Sequence, residues 1–198
     1  MGTAIAAGAI IVVLVLVFVA RGVLKKLGAR PLPPALQTGR TLPQFAAVSE
    51  SGETLSSADL RGKPAVILFV RGNWCPFCSK QVADLTQYYR ELHELGARLI
   101  LITPQPLETT RRVAEFFEFD FEYWLDPELA IGTAVGLVQT GGVPGEHRDE
   151  YGEDTLWPAA IVTDSDGVIR YASISKLIAD RPNPQKFVAT LKALPAAS

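Results

Sequence analysis

Two cysteines and two histidines are all that the 198-residue chain contains. Two cysteines are too few for a disulfide scaffold in a chain of this length, whose core can be built from ordinary apolar residues. A structural zinc site needs four ligands, and no second cysteine pair exists. The histidines are scattered as well: His93 falls inside a helical pattern and His147 in a Gly-rich stretch. An excess of charge is also missing, since 19 Lys and Arg stand against 21 Asp and Glu. Nucleic-acid binding therefore has no basis. No Gly-rich loop follows a strand in the pattern that cradles phosphate, so neither a nucleotide nor any other cofactor is implied, and no metal is expected.

Side-chain charge is absent altogether from Gly2 to Ala20, GTAIAAGAIIVVLVLVFVA. At about 1.5 Å per residue this stretch nearly crosses a hydrocarbon core of about 30 Å, and Val23 and Leu24 extend it. A cleaved signal peptide fits poorly. It lacks a basic leading region, and Phe18-Val19-Ala20 puts Phe where a small residue is needed. Gly2 lacks the downstream Ser or Thr of a myristoylation site, because position 6 is Ala6. Residues 2–24 are therefore expected to form a single membrane anchor. Arg21, Lys25, Lys26 and Arg30 follow it and no Lys or Arg precedes it. By the positive-inside rule the remainder faces the cytoplasm. Residues 25–40 read as a Pro- and Gly-rich linker, and residues 41–198 as the folded domain.

Within that domain Ala65–Val70 (AVILFV) is a continuous apolar run bounded by Gly62-Lys63-Pro64 and Gly72, the pattern of a buried strand. Gln81–Leu95 has helical periodicity through Val82, Leu85, Tyr89 and Leu92, and Gly96 ends it. Arg98–Thr103 is a second buried strand, which completes a βαβ unit with parallel strands. Further expected elements are a helix over Leu107–Phe117, a strand over Phe121–Leu125 and a short helix to Val135. Gln139–Thr155 reads as a surface loop. Asp164-Ser165-Asp166-Gly167 marks a hairpin between Ala159–Thr163 and Val168–Ser173, and Pro184–Leu194 a final helix. The fold class is α/β with a mixed central sheet.

Both cysteines lie in RGNWCPFCSKQ, on the turn from the first core strand into a helix. Pro76 suits the first helical position, which puts Cys75 near the N-cap. Unpaired N–H groups and the positive dipole end stabilise a thiolate there. Such motifs lower a thiol from about 8.5 into the range of about 3.5–7.5. Cys78 lies one turn on, on the same face, placed to attack a mixed disulfide or sulfenate at Cys75. A zinc half-site and a pair of inert core thiols fit this context less well than a redox pair. Arg71 and Lys80 flank the motif, either as stabilisers of the thiolate or as solvated charges. Trp74 and Phe77 form an apolar rim or cap the core, with Trp74 expected exposed. Tyr88-Tyr89 and Phe116–Trp124 read as packing.

The ordered set of Leu42-Pro43-Gln44-Phe45, Gly52–Pro64, Trp74-Cys75-Pro76-Phe77-Cys78, and Trp157-Pro158-Ala159-Ala160 before Asp164–Gly167 resembles the thioredoxin-fold redoxins. The likeness is to their peroxiredoxin branch, the alkyl hydroperoxide reductase and thiol-specific antioxidant family, and covers about Thr41–Ser175. It implies a thioredoxin-like fold and a thiol-dependent antioxidant enzyme reducing hydroperoxides through Cys75 and Cys78, with an external dithiol as electron donor. It also implies a cis Pro158 that exposes the backbone of Trp157 to substrate; together with Trp74 as the apolar rim, Trp157 and Pro158 are the expected substrate-binding residues. Two positions depart from the family. Leu68 and Gly72 stand where its peroxidases carry Pro and Thr, the latter orienting thiolate and peroxide. A C-x-x-C pair is more like thioredoxin, which keeps a protein disulfide reductase open as an alternative. A non-catalytic docking module is a second alternative.

Overall fold

The computed structural model describes residues 13–22, 30–106, 108–109, 121–177 and 179–195. The chain divides into two units, Met1–Pro31 and Leu32–Ser198. In the first, residues 13–22 are helical and their apolar side chains exposed. The rest of the anchor expected over 2–24 lies outside the described residues. Among the described residues no helix is long and apolar enough to cross a membrane.

The second unit is built on β3, Ala65–Phe69, in which every residue is buried. Strand side chains alternate between faces, so one strand feeds two cores. Ala65, Ile67 and Phe69 enter a layer with Trp124, Ile131 and Leu156. Val66, Leu68 and Val70 enter another with Cys75, Cys78, Val82 and Leu85. The β-branched and aliphatic run is continuous because both faces are covered. β3 pairs in parallel with β4, Arg98–Thr103, and antiparallel with β8, Ala159–Thr163. The parallel partner of β4 is β5, Glu122–Leu125. The antiparallel partner of β8 is β9, Ile169–Ile174, across the Asp-Gly turn. There Asp164 Oδ1 accepts from the N–H groups of Asp166 (3.0 Å) and Val168 (2.9 Å). A hairpin of β1, Ala46–Ser49, and β2, Thr54–Ser56, completes a sheet ordered β2-β1-β5-β4-β3-β8-β9.

The expected helix over Gln81–Leu95 is two helices, α1 (Pro76–Thr86) and α2 (Tyr89–Glu94). The Tyr88 N–H bonds the Leu85 carbonyl three residues back at 2.9 Å, tightening the last turn. The helix over Leu107–Phe117 falls outside the described residues, apart from helical positions 108–109. The short helix α3 spans Ala130–Val135, one turn later than Asp126. The Asp126 carboxylate caps it, accepting from the N–H groups of Ile131 (2.9 Å) and Gly132 (2.8 Å).

Gln139–Thr155 is not an irregular loop. β6 (Val138–Gln139) pairs with β7 (Thr155–Leu156), enclosing a 3-10 turn at Gly145–His147 and the short helix α4, Arg148–Tyr151. Gly142 allows the close approach, because a Cβ there would lie 2.7 Å from Thr155 Cγ2. The final helix α5, Gln185–Lys192, lays Phe187, Val188 and Leu191 on the same core layer as α1.

Candidate active site

After β3 the chain turns at Gly72, whose φ of 140° is closed to most side chains. The Cys75 N–H returns to the Gly72 carbonyl at 3.2 Å. Cys75 is the N-cap of α1 with Pro76 behind it, and its carbonyl accepts from the N–H groups of Cys78 (3.0 Å) and Ser79 (3.1 Å). The two residues that shape the sequence motif therefore also set the helix start.

Both thiols are free and buried, at 1% and 3% exposure. They differ electrostatically. The Cys78 thiol donates to Cys75 and holds its pKa down to about 5. The Cys78 N–H and the charges of Arg71 and Arg181 assist, while burial opposes them. Cys78 is pushed far above the usual thiol range. It keeps the proton that Cys75 has lost, burial penalises its anion, and the neighbouring thiolate repels a second charge. The Arg71 N–H reaches Cys78 Sγ at 3.5 Å.

Arg181 is the residue that sequence reasoning missed. Its Nη2 lies 3.4 Å from Cys78 Sγ and 3.9 Å from Cys75 Sγ. Its Nη1 is held by the Asp180 carbonyl at 2.7 Å and by Ser175 Oγ at 3.2 Å. A topological signal existed. β9 runs parallel to β3 through the antiparallel β8, so the segment after β9 emerges at the sheet end where Cys75 sits.

Of the two flanking cations, Arg71 belongs to the site and Lys80 does not. Arg71 is buried, and its Nη2 donates to the Gly142 carbonyl at 2.5 Å. Lys80 is exposed and paired with Asp84 at 2.7 Å. Trp74, expected exposed, is half-buried. The Arg71 guanidinium lies 4.6 Å from its ring centre, His147 stacks on it at 5.7 Å, and Tyr151 lies at 6.5 Å. Tyr151 Oη donates to Asn73 Oδ1 at 2.6 Å, so the Gly-rich segment is fastened to the cysteine turn. Phe77 is the exposed aromatic of the motif, at 38%.

The resemblance placed Pro158 in cis, but among the described residues every peptide bond is trans. Pro158 is buried beside the turn, one residue before Ala159, which pairs with Phe69. A trans proline suits a strand start, where its missing N–H breaks no ladder bond. Two of the local backbone groups are already bonded. The Trp157 N–H bonds the Leu137 carbonyl at 2.6 Å, and the Pro158 carbonyl accepts from Ser175 N–H at 2.8 Å. The Trp157 ring packs on the core layer of the opposite sheet face from the cysteines. Cys75, Cys78, Trp74 and Pro158 thus meet at one sheet end, and the Trp157 side chain turns away.

Among the described residues no three His, Cys, Asp or Glu side chains are grouped to hold a metal ion. What remains is a thiolate at a helix start, a protonated thiol bonded to it, the buried Arg71 and the half-buried Arg181. This is equipment for attack by sulfur and closure of a disulfide. The fold and this pair define a thioredoxin-fold redoxin. The chain belongs to the AhpC/TSA family, whose model matches residues 38–172. It is similar to the thiol-disulfide oxidoreductase ResA of Bacillus thuringiensis, at 29% identity over 108 residues, covering 54% of this chain and 59% of that protein. It is also similar to the chloroplastic peroxiredoxin Q of Sedum lineare, at 25% over 134 residues, covering 67% and 66%. The chain thus spans about three fifths of the ResA length. The crystal structure of peroxidoxin BcpB from Mycobacterium tuberculosis shares the fold, with a TM-score of 0.67 at 21% identity over 81% of this chain and 99% of that one.

Proposed function

We propose that this protein is a thiol peroxidase in which Cys75 attacks and Cys78 resolves. The Cys75 thiolate attacks one peroxide oxygen. The O–O bond breaks, the alcohol or water leaves after taking a proton, and Cys75 becomes a sulfenic acid. Cys78 then attacks the sulfenic sulfur. Its proton and the departing hydroxide leave as water, and the Cys75–Cys78 disulfide forms. An external dithiol restores both thiols and is itself oxidised to a disulfide. The carrying observation is the asymmetry of the pair: a thiolate at Cys75, held by the Cys78 thiol and by two arginines.

A second reading, reduction of protein disulfides, is favoured by Gly72. The hydroxyl that would orient a peroxide is absent, and the space for it is filled by Trp74, 2.7 Å from where a Cβ would be. Loss of one oriented hydrogen bond costs on the order of 10²–10³ in rate, so the peroxidase is expected to be slow. Stopped-flow oxidation by hydrogen peroxide and an organic hydroperoxide, beside reduction of a protein disulfide, separates the two. Oxidation no faster than that of a free thiol of matched pKa, with rapid disulfide reduction, leaves the reductase. Absence of any redox-active thiol leaves a docking module. Cys75→Ser is expected to abolish activity, and Cys78→Ser to trap an adduct at Cys75. Faster alkylation of Cys78 than of Cys75 at mildly acidic pH would reverse the roles.

The proposal includes a membrane tether over residues 2–24 with the redoxin domain on the cytoplasmic side. It rests on the uncharged run and the basic residues after it. C-terminal reporter fusions test it: activity only outside the cytoplasm overturns the orientation.

A further inference from the structure

A small cavity of about 60 Å³ opens between α1, β4 and β5. Val70, Val82 and Leu101 give it apolar walls, and Cys78, Gln105 and Tyr123 also line it. Cys75 is not among its described lining residues. Gln105 and Tyr123 are each 5% exposed, yet among the described residues Gln105 Nε2 and Tyr123 Oη have no hydrogen-bond partner. Gln105 Oε1 accepts from Thr103 Oγ1 at 3.3 Å, which leaves Nε2 as the unpaired end of the amide. Burial and the charge of Glu50 push the Tyr123 hydroxyl up to about 12, so it too keeps its proton. Two buried donors are left in an apolar cavity whose reactive atom is the Cys78 sulfur. A buried donor without an acceptor costs about 1–3 kcal/mol, and an arriving acceptor recovers that cost.

We propose that this cavity admits a further reductant beside the external dithiol, a small thiol bearing a carbonyl or carboxylate, which attacks the oxidised pair at Cys78. The inference rests on the reading that Cys75 and Cys78 cycle through a disulfide. The incoming thiolate forms a bond to Cys78 Sγ, the Cys75–Cys78 bond breaks, and the electron pair leaves on Cys75. A second thiol attacks the incoming sulfur of the mixed disulfide, releases the oxidised small molecule and returns a proton-bearing Cys78. Two thiols are oxidised to one disulfide, and one protein disulfide is reduced to two thiols. Leaving-group chemistry favours this direction, because the thiol of lower pKa departs faster. Cys75 is that thiol on features that remain once Cys78 has entered the mixed disulfide: it sits at the helix start, the Cys78 N–H and the Arg71 charge support its anion, and Arg181 Nη2 lies 3.9 Å away. Attack at Cys75 would instead expel Cys78, whose burial disfavours its anion. The apolar walls suit the methylene stem of the thiol, and the two donors its oxygen.

The test uses the full chain oxidised with hydrogen peroxide. Loss of two thiols with formation of the intramolecular disulfide is checked first by mass. If no such disulfide forms, the proposed function fails and this inference falls with it. Oxidised protein is then mixed with N-acetylcysteine and iodoacetamide at mildly acidic pH and quenched with acid. The peptide holding both cysteines is sequenced by fragmentation. The expected product carries N-acetylcysteine on Cys78 and the alkyl group on Cys75. The reverse placement overturns the proposal while leaving the disulfide cycle intact. Gln105→Leu with Tyr123→Phe is expected to slow reduction by N-acetylcysteine by at least about tenfold. Reduction by 2-aminoethanethiol, which has no acceptor oxygen, should be unchanged. Equal slowing with both thiols, or none with either, overturns the recognition by Gln105 and Tyr123.

Discussion

Replacing Arg181 with Met removes a cation 3.9 Å from Cys75 Sγ and leaves an apolar stem of similar reach. At an effective dielectric of about 20, two unit charges about 4 Å apart attract by about 4 kcal/mol. That is a ceiling here. The guanidinium is shared with the Asp180 carbonyl, Ser175 and Cys78, and its effect on Cys75 ranks below those of the Cys78 thiol and Arg71. A loss of about 1.4 kcal/mol is expected, which corresponds to about a tenfold smaller thiolate population below the titration midpoint. Iodoacetamide alkylation of the reduced protein followed across pH reads this directly. The wild-type rate should fall off near pH 5, where Cys75 is protonated. In Arg181→Met the acid limb should shift upward and the rate below the midpoint fall about tenfold. Cys78→Ala should shift the limb further, because it removes the largest stabiliser, whereas Cys78→Ser keeps a hydroxyl donor and should shift it less. An unchanged profile in Arg181→Met, or one displaced further than in Cys78→Ala, refutes the reasoning.

The same titration gives a stability prediction. Cys75 is depressed in the folded state, and an unfolded thiol titrates near about 8.5. The unfolded chain therefore binds more protons between the two values, and stability rises with pH across that window. Denaturant midpoints of reduced wild type minus Cys75→Ser should climb from about pH 5 to about pH 8.5 and flatten at the acid end. A flat difference would remove the folded-state thiolate. Gly72→Thr, which the family pattern would suggest as a restoration, is expected to destabilise by about 1–3 kcal/mol and not to speed peroxide reduction. The φ of 140° and the Trp74 ring exclude the side chain, and urea denaturation with the peroxide assay checks both parts. Phe69→Ala should cost about 3–5 kcal/mol in the same measurement, as a fully buried aromatic of the central strand.

The strands were legible because their residues obey one local rule. Ala65–Phe69 and Arg98–Thr103 are apolar on both faces, and no other element type fits runs so short between Gly and Pro. The helix start at Cys75 and Pro76 was legible for the same reason, since proline at the first helical position is a local signal. What was not legible depends on contacts far along the chain. Arg181 reaches back more than a hundred residues to the sulfurs, and Trp74 is covered by His147 and Tyr151 from a stretch whose glycines and charges read as solvent-exposed loop. The interruption of the helix near Gln87 leaves the apolar period unbroken across it, so periodicity alone merged α1 and α2. The bonds from Trp157 N–H to Leu137 and from Ser175 N–H to the Pro158 carbonyl likewise join residues that no local pattern around Trp157 contains.

The two arginines at the sulfurs also set the redox poise of the pair. In the dithiol form they face an anion, and in the disulfide form the same cations face a neutral bond. Everything that favours the thiolate therefore favours the reduced protein, and moves the potential toward the oxidising end by about 30 mV for each 1.4 kcal/mol. A pair so poised is readily re-reduced by a modest thiol donor and is a weak reductant of stable structural disulfides. A peroxide is a strong enough oxidant to drive it forward regardless. The arginines thus tilt the two functional readings apart on thermodynamic grounds, whereas Gly72 separates them on kinetic ones.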